Sequence, residues 1–421
     1  MEEQQVGSLK EALRNVSGLS FNAAEGGRAG DNMNLRGFYT FGDIYLDGIR
    51  DTAQYNRETF NLEQIDVLRG SAAMLFGRGQ AGGVINQVSK TPLLGDRGKI
   101  GLGIGSNDYR ELTGDFNKQL GHDTALRLDV MKRDEGSWRE NPVSGTEPEV
   151  HREGLGLSFV TGLYTDDEFT FSHHHLKTAD NPDYGIPFDR DTRRPTKKFG
   201  PSEFWGTDAT FDDSQTEITT LGHQHRFTRD TQLRTVLRAA NYDRAYWAQA
   251  PSNSAGPSSD ARTGSAKTRK SDTRNLALQS DLTTRVQLLG IKHELLAGIE
   301  YLQEDASRWS LKNVGLAPVP LYKASAINLP ATEYEGETIA VYAQDTIEFI
   351  QDWKLTLGLR RDQLDARYSS TNSPELSFGE NSLRTGLSWQ PDPDQHYYLS
   401  YSDAFSPTAD LYQLSGGELP P

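Results

Sequence analysis

Ala125-Leu126-Arg127-Leu128-Asp129-Val130-Met131 is the stretch whose reading decides the fold. In an extended chain successive side chains point to opposite faces, so Leu126, Leu128 and Val130 share one side and Arg127 and Asp129 the other. One face is oily and the other is charged. Leu355, Leu357 and Leu359 alternate in the same way with Thr356, Gly358 and Arg360, and Leu155, Leu157, Phe159 and Leu163 share one side of their segment. A sandwich strand keeps such a pattern for about five residues. Here segments such as Asp272 to Leu289 and Glu335 to Ile350 run longer, matching the roughly 9 to 11 tilted residues that carry a strand across a bilayer. No apolar run approaches the roughly 18 residues of a membrane-spanning helix, and candidates such as Ala72 to Phe76 are soon interrupted. If this chain crosses a membrane, it does so as a β-barrel, which leaves no backbone polar group unpaired in lipid.

The connections alternate as well. Short turns are expected near Gly121-His122-Asp123, Thr165 to Glu168, Thr228 to Thr231, Gly290-Ile291, Gln351-Asp352 and Pro391 to Asp394. Long polar loops are expected over Glu135 to Arg152, Lys177 to Ser214, Ala248 to Ser271, Asp305 to Tyr334 and Ser369 to Asn381. Alternation of this kind puts all turns on one side of a membrane and all loops on the other. Tyr164, Phe169, Phe227, Phe349, Trp353, Trp389 and Tyr397 gather beside the short turns as one aromatic girdle. About thirteen strands are expected before a loop-like tail, Ser406 to Pro421. An unclosed sheet exposes two long hydrogen-bonding edges, so the complete protein is expected to continue beyond it. Met1-Glu2-Glu3-Gln4-Gln5 has neither the basic nor the apolar region of a signal peptide, and truncation is expected at this end too.

Composition fits. Only 35% of the 421 residues are hydrophobic and mean hydropathy is -0.65, while glycine (40) and aromatics (10%) are plentiful. That mix suits strands whose two faces meet different solvents. Zero cysteines exclude disulfides and thiolate metal sites. A formal charge of -15 and a pI near 5.1 argue against nucleic acid as a partner, because phosphate binding needs a basic field.

The first ninety or so residues read as a separate α+β unit. Ser8-Leu9-Lys10-Glu11 has capping-box spacing, Leu9, Ala12, Leu13 and Val16 form an apolar stripe, and Gly18 supplies a stop. Asp47-Gly48, between Asp43-Ile44-Tyr45-Leu46 and Ile49, is a hairpin-turn dipeptide. Asn61 with Gln64 has the spacing of a second capping box, Ser71 is positioned to cap Ala72 to Phe76, and Val84 to Val88 closes the unit as a strand.

In this unit Asn34-Leu35-Arg36-Gly37-Phe38, Tyr45-Leu46-Asp47-Gly48, Ile65 through Gly77 and Gly82 through Lys90 resemble, in order and spacing, the plug of TonB-dependent siderophore receptors. Gly48 through Asn61 and Phe76 through Gly83 are most similar to the catecholate-type receptors. The resemblance implies a plug over residues 1–92 and a partial transmembrane barrel over 98–421, in a family whose complete antiparallel barrel has 22 strands. It further implies an outer-membrane address, uptake of a ferric siderophore and coupling to TonB and its inner-membrane energising proteins. Neither a TonB box nor a final strand ending in an aromatic residue is present in this sequence.

Ferric catecholates are bulky, aromatic and anionic, so guanidinium donors and aromatic faces are the residue types to seek. By resemblance the plug's apical loops present Arg50, Gln54, Tyr55, Arg57, Arg78 and Gln80, although Arg50 and Arg57 could equally pair with Asp51 and Glu58. Arg36 and Arg69 are expected as internal ties to the barrel wall. Arg190, Arg193, Arg194, Lys197 and Lys198 in one outer loop, and Arg262, Lys267, Arg269, Lys270 and Arg274 in the next, could steer an anion, bind lipopolysaccharide phosphates or remain solvated. Phe204, Trp205, Tyr246, Trp247 and Trp309 could stack on a ligand or anchor loops. Gly77-Arg78-Gly79-Gln80-Ala81-Gly82 fits a dinucleotide fingerprint by letter, but Val84-Ile85 follows rather than a helix. In His173-His174-His175 only the first and third can share a face, and no third ligand is evident. No acid-base or nucleophile motif points to an enzyme, and iron enters as cargo rather than as a cofactor. A receptor for haem, cobalamin or a glycan, and a passive porin-like or adhesion barrel, remain alternatives; a lumen-filling plug argues against the porin.

Overall fold

The alternating segments pair in chain order. The structure, a computed structural model, describes residues 6–21, 31, 33–40, 43–79, 82–260, 267–312, 327–328, 331–369 and 375–407. Gln80 and Arg262 lie outside these. The plug carries α1 (Leu9–Ala12), β1 (Leu19–Phe21), β2 (Met33–Leu35), β3 (Phe38–Tyr39), β4 (Ile44–Leu46), β5 (Ile49–Arg50), β6 (Leu62–Arg69), α2 (Ala73–Phe76) and β7 (Gly83–Ser89). Then come β8 (Arg97–Ile104), β9 (Arg110–Gln119), β10 (Ala125–Glu135), β11 (Val150–Thr161), β12 (Asp167–Asp180), a loop hairpin of β13 (Phe188–Asp189) and β14 (Arg194–Pro195), β15 (Phe211–Arg226) and β16 (Thr231–Ala248). The last are β17 (Lys267–Leu288), β18 (Ile291–Trp309), β19 (Thr332–Ile350), β20 (Trp353–Tyr368), β21 (Glu375–Asp392) and β22 (Gln395–Ser402). Thirteen of these, β8 to β12 and β15 to β22, form one sheet in consecutive order, every neighbour antiparallel.

Register fixes which face meets which solvent. In β10 the side chains of Ala125, Arg127, Asp129, Met131 and Arg133 are buried towards the plug. Leu126, Leu128 and Val130 point outward and pair with Phe159, Leu157 and Leu155 of β11. The outward face carries Leu237, Ile299, Val341, Leu357, Leu359 and Leu383, each well exposed in the chain alone. So broad an apolar belt, continuous along one face of antiparallel strands, fits a lipid-facing surface. At one end the belt meets stacked rings: Trp353 lies 5.4 Å from Trp389, which lies 5.5 Å from Tyr397.

Several strands overrun the belt. The 22 residues of β17, at a rise of roughly 3.3 Å each, exceed what a belt about 25 Å tall requires. Lys267, Arg269, Lys270 and Arg274, expected in a loop, belong to this strand.

The plug folds as its turns dictate. Glu11 N donates to Ser8 Oγ at 3.3 Å and Ser8 N to Glu11 Oε2 at 3.2 Å, completing the capping box of a single-turn helix whose C-cap is Leu13 rather than Gly18. Asp47 and Gly48 take φ of +53° and +83° and join β4 to β5, the positive pair of a tight hairpin. β4 also pairs in parallel with β7, which pairs with β6. Two expectations are corrected. Asn61 caps no helix, because β6 follows at once and its Nδ2 lies 2.9 Å from His174 Nδ1. Ser71 does not cap α2, whose N-cap is Ala72; its hydroxyl donates instead to the Asp403 carbonyl.

Plug and wall share apolar clusters, as where Leu46, Ala53, Tyr55 and Leu62 pack with Met131, Leu176, Ile218, Ala240 and Tyr242. Glycines in the wall make room. A Cβ on Gly154 would meet Phe60 Cε1 at 2.5 Å, and one on Gly358 would meet Met74 Cε at 2.8 Å.

Candidate binding site at the plug apex

The loop after β5 is organised around one carboxylate. Asp51 Oδ2 accepts from Tyr55 Oη at 2.9 Å and Arg57 Nε at 2.8 Å, while Oδ1 accepts from wall residue Tyr242 at 2.9 Å. Arg57 Nη1 also lies 3.5 Å from Asp31, and its guanidinium sits 4.1 Å from the Tyr55 ring centre. Burial opposes the charge on Arg57, but Asp51, Tyr55 and Asp31 outweigh it and hold its pKa above the ordinary value. Burial, then the Asp51 charge, pushes the Tyr55 phenol well above its usual range, so it stays a donor.

Beside this loop a crevice opens between plug and wall. Ala53, Gln54 and Tyr55 form its plug side, and Tyr242, Arg244, Tyr246, Arg269 and Arg308 stand on the inner wall. Arg244 is fixed by a bidentate pair with Asp212 at 2.8 and 2.7 Å, donates to the Gln54 carbonyl at 3.1 Å and sits 5.1 Å from the Tyr246 ring centre. Guanidiniums beside tyrosine faces can bind a flat anion by charge and by stacking.

The expected residues divide. Gln54 and Tyr55 border the crevice. Arg50, Arg57 and Arg78 do not present their guanidiniums outward, for all three are buried. Arg50 lies under the loop at Gly79, where an added methyl group would collide with the Asp43 carboxylate and approach Arg50 Nη2 to 3.7 Å. Arg57 does pair with Asp51, but Glu58 goes elsewhere: it accepts from Arg133 at 3.0 Å and from Arg152, both on the wall. Arg78 pairs with Glu304 of β18 and donates to Thr338 Oγ1 of β19 at 2.6 Å. It is therefore a tie to the wall. Arg36 and Arg69, expected to be ties, are exposed and have no wall partner among the described residues; Arg36, in the turn after β2, lies beside Gly18 and Gly70 of the plug itself.

The loop cations Arg190, Arg193, Arg194, Lys197 and Lys198 are exposed, and Lys198 Nζ donates to the Asn253 carbonyl at 3.2 Å. Phe204 and Trp205 are buried in the loop before β15, Trp247 is buried in β16 against Ala209, Phe211 and Leu311, and Tyr246 reaches the crevice. Of the three histidines, His174 turns inward and stacks on Phe60 at 5.7 Å. Sequence reasoning missed Arg244 and Arg308, whose inward even-numbered positions were the available signal.

Residues 1–84 match the family described as TonB-dependent Receptor Plug Domain and residues 154–421 the family described as TonB dependent receptor-like, beta-barrel. The chain belongs to the TonB-dependent receptor family. It is 29% identical over 403 residues to the catecholate siderophore receptor Fiu of Escherichia coli, covering 89% of this chain and 52% of that protein. It is 30% identical over 461 residues to the probable TonB-dependent receptor BfrD of Bordetella pertussis, covering 97% of this chain and 60% of that one. This TonB-dependent receptor chain thus spans between half and two thirds of the length of such relatives. Among solved structures, the siderophore receptor PiuA of Acinetobacter baumannii superposes with a TM-score of 0.83 at 26% identity, covering 97% of this chain and 63% of that one. The open form of Fiu gives 0.81 at 25% identity, covering 97% and 68%. Proteins of this family reside in the outer membrane, and so does this receptor chain. Its short turns accordingly face the periplasm.

Proposed function

We propose that the chain supplies the plug, residues 1–92, and the barrel strands from residue 98 onward of a receptor for energy-coupled uptake of a ferric siderophore of the catecholate class. The observation that carries this is the crevice where Gln54 and Tyr55 meet Tyr246, Arg244, Arg269 and Arg308. An anionic, aromatic chelate matches cations and ring faces together. The names of Fiu and PiuA supply a siderophore as the ligand, that of Fiu alone the catecholate class, and family membership supplies coupling through TonB. The exposed Arg190, Arg193, Arg194, Lys197 and Lys198 are the steering field for the anion, and lipopolysaccharide phosphate is their alternative partner.

Binding of iron-loaded and iron-free catecholate, hydroxamate and haem probes to the receptor in detergent tests the reading. The wild type will prefer the ferric catecholate. Arg269→Ala with Arg308→Ala will weaken it about 10- to 100-fold, the worth of one charge-assisted hydrogen bond or more. Equal affinity in the variant, or preference for a neutral hydroxamate chelate, rejects the proposal.

A further inference from the structure

Away from the plug, three metal-ligating side chains converge on the outer face of the barrel. Asp167 opens β12 above the turn at 162–166, and His223 and His225 lie near the end of β15. Two residues apart on a strand, the imidazoles share a face, and register sets Asp167 opposite His225 and Phe169 opposite His223. Asp167 Oδ1 is 2.9 Å from His223 Nε2 and 2.7 Å from His225 Nδ1, and one ligand atom from each residue lies within 4.8 Å of the others. Both rings are held: Phe169 stacks on His223 at 4.4 Å and 10°, and Phe227 meets His225 edge-on at 4.5 Å and 79°.

We infer that this trio is a binding site for a first-row divalent cation of the zinc type at the periplasmic rim. Two imidazole nitrogens and a carboxylate oxygen suit such ions. Bonds of roughly 2.0 to 2.2 Å in a tetrahedron set ligand atoms roughly 3.4 Å apart. The two carboxylate–imidazole spacings, 2.9 and 2.7 Å, need widen by only about 0.5 to 0.7 Å to reach that value, within reach of partly exposed side chains. The Asp167 carboxylate offsets part of the ion's charge. Three ligands leave a position for water. The site is independent of the uptake reading, since it lies on the opposite face of the sheet from the crevice.

Calorimetric titration of the full chain in nonionic detergent with zinc chloride, in chelator-free buffer, tests it. Circular dichroism of the strands confirms folding of each variant. His223→Gln, His225→Gln and Asp167→Asn will each weaken one equivalent of Zn2+ binding by at least about tenfold, and His122→Gln, on an exposed turn, will not. Cobalt(II) will give visible bands of tetrahedral coordination in the wild type that the same variants lose. A wild type without a saturable equivalent, or variants that bind as it does, overturns the inference; Asp167→Asn keeps the test open if a histidine variant misfolds.

Discussion

Replacing Arg78 by Met will loosen the plug rather than empty the binding site. Arg78 and Glu304 are 3% and 1% exposed, and one Glu304 oxygen already lacks a hydrogen bond, so removing the guanidinium strands a carboxylate between plug and wall. Breaking one half of a buried ion pair costs about 3 to 5 kcal/mol. Where the plug opens locally, that raises the open population by about 10²-fold to several thousand-fold. Glu304→Gln will do nearly the same, and the double variant will fall short of the sum by about 1 to 3 kcal/mol, because both changes remove one interaction. Limited proteolysis across a urea series, scored as cleavage within the plug, reads the effect. Unchanged protection accompanied by lost chelate affinity would refute the assignment of Arg78 to the wall, as would strictly additive effects.

Two further predictions test the packing. Gly154→Val drives a side chain into the Phe60 ring, and overpacking of about 1 to 3 kcal/mol will show as faster hydrogen exchange in the segment around Phe60 with the barrel intact. Leu237→Arg, on the outward belt, will cost about 2 to 4 kcal/mol of stability in lipid vesicles. Measured by denaturant titration, no loss there would mean that this face does not meet hydrocarbon.

The barrel was legible because its signal is local: Leu126, Leu128 and Val130 declare their face within five residues, and the turns fall where the alternation breaks. The Asp47-Gly48 hairpin and the Ser8 capping box were legible for the same reason. Asn61 with Gln64 mimicked a cap because capping chemistry and tertiary hydrogen bonding use the same side chains, and His174 won. The site was harder. Arg78 meets Glu304 across 226 positions, and nothing in either neighbourhood says that the two will be partners. Arg269 read as a loop cation because a strand standing above the belt alternates polar residues on both faces. His223 and His225 announce a shared face, but their carboxylate comes from another strand.

The upper reaches of β16 to β20 are paired ladder, not loose connection. Under the proposed uptake role an arriving chelate thus enters a stiff collar, in which Arg244 is already held by Asp212 before it arrives. Little motional freedom remains there to be lost, so more of each contact survives as net attraction.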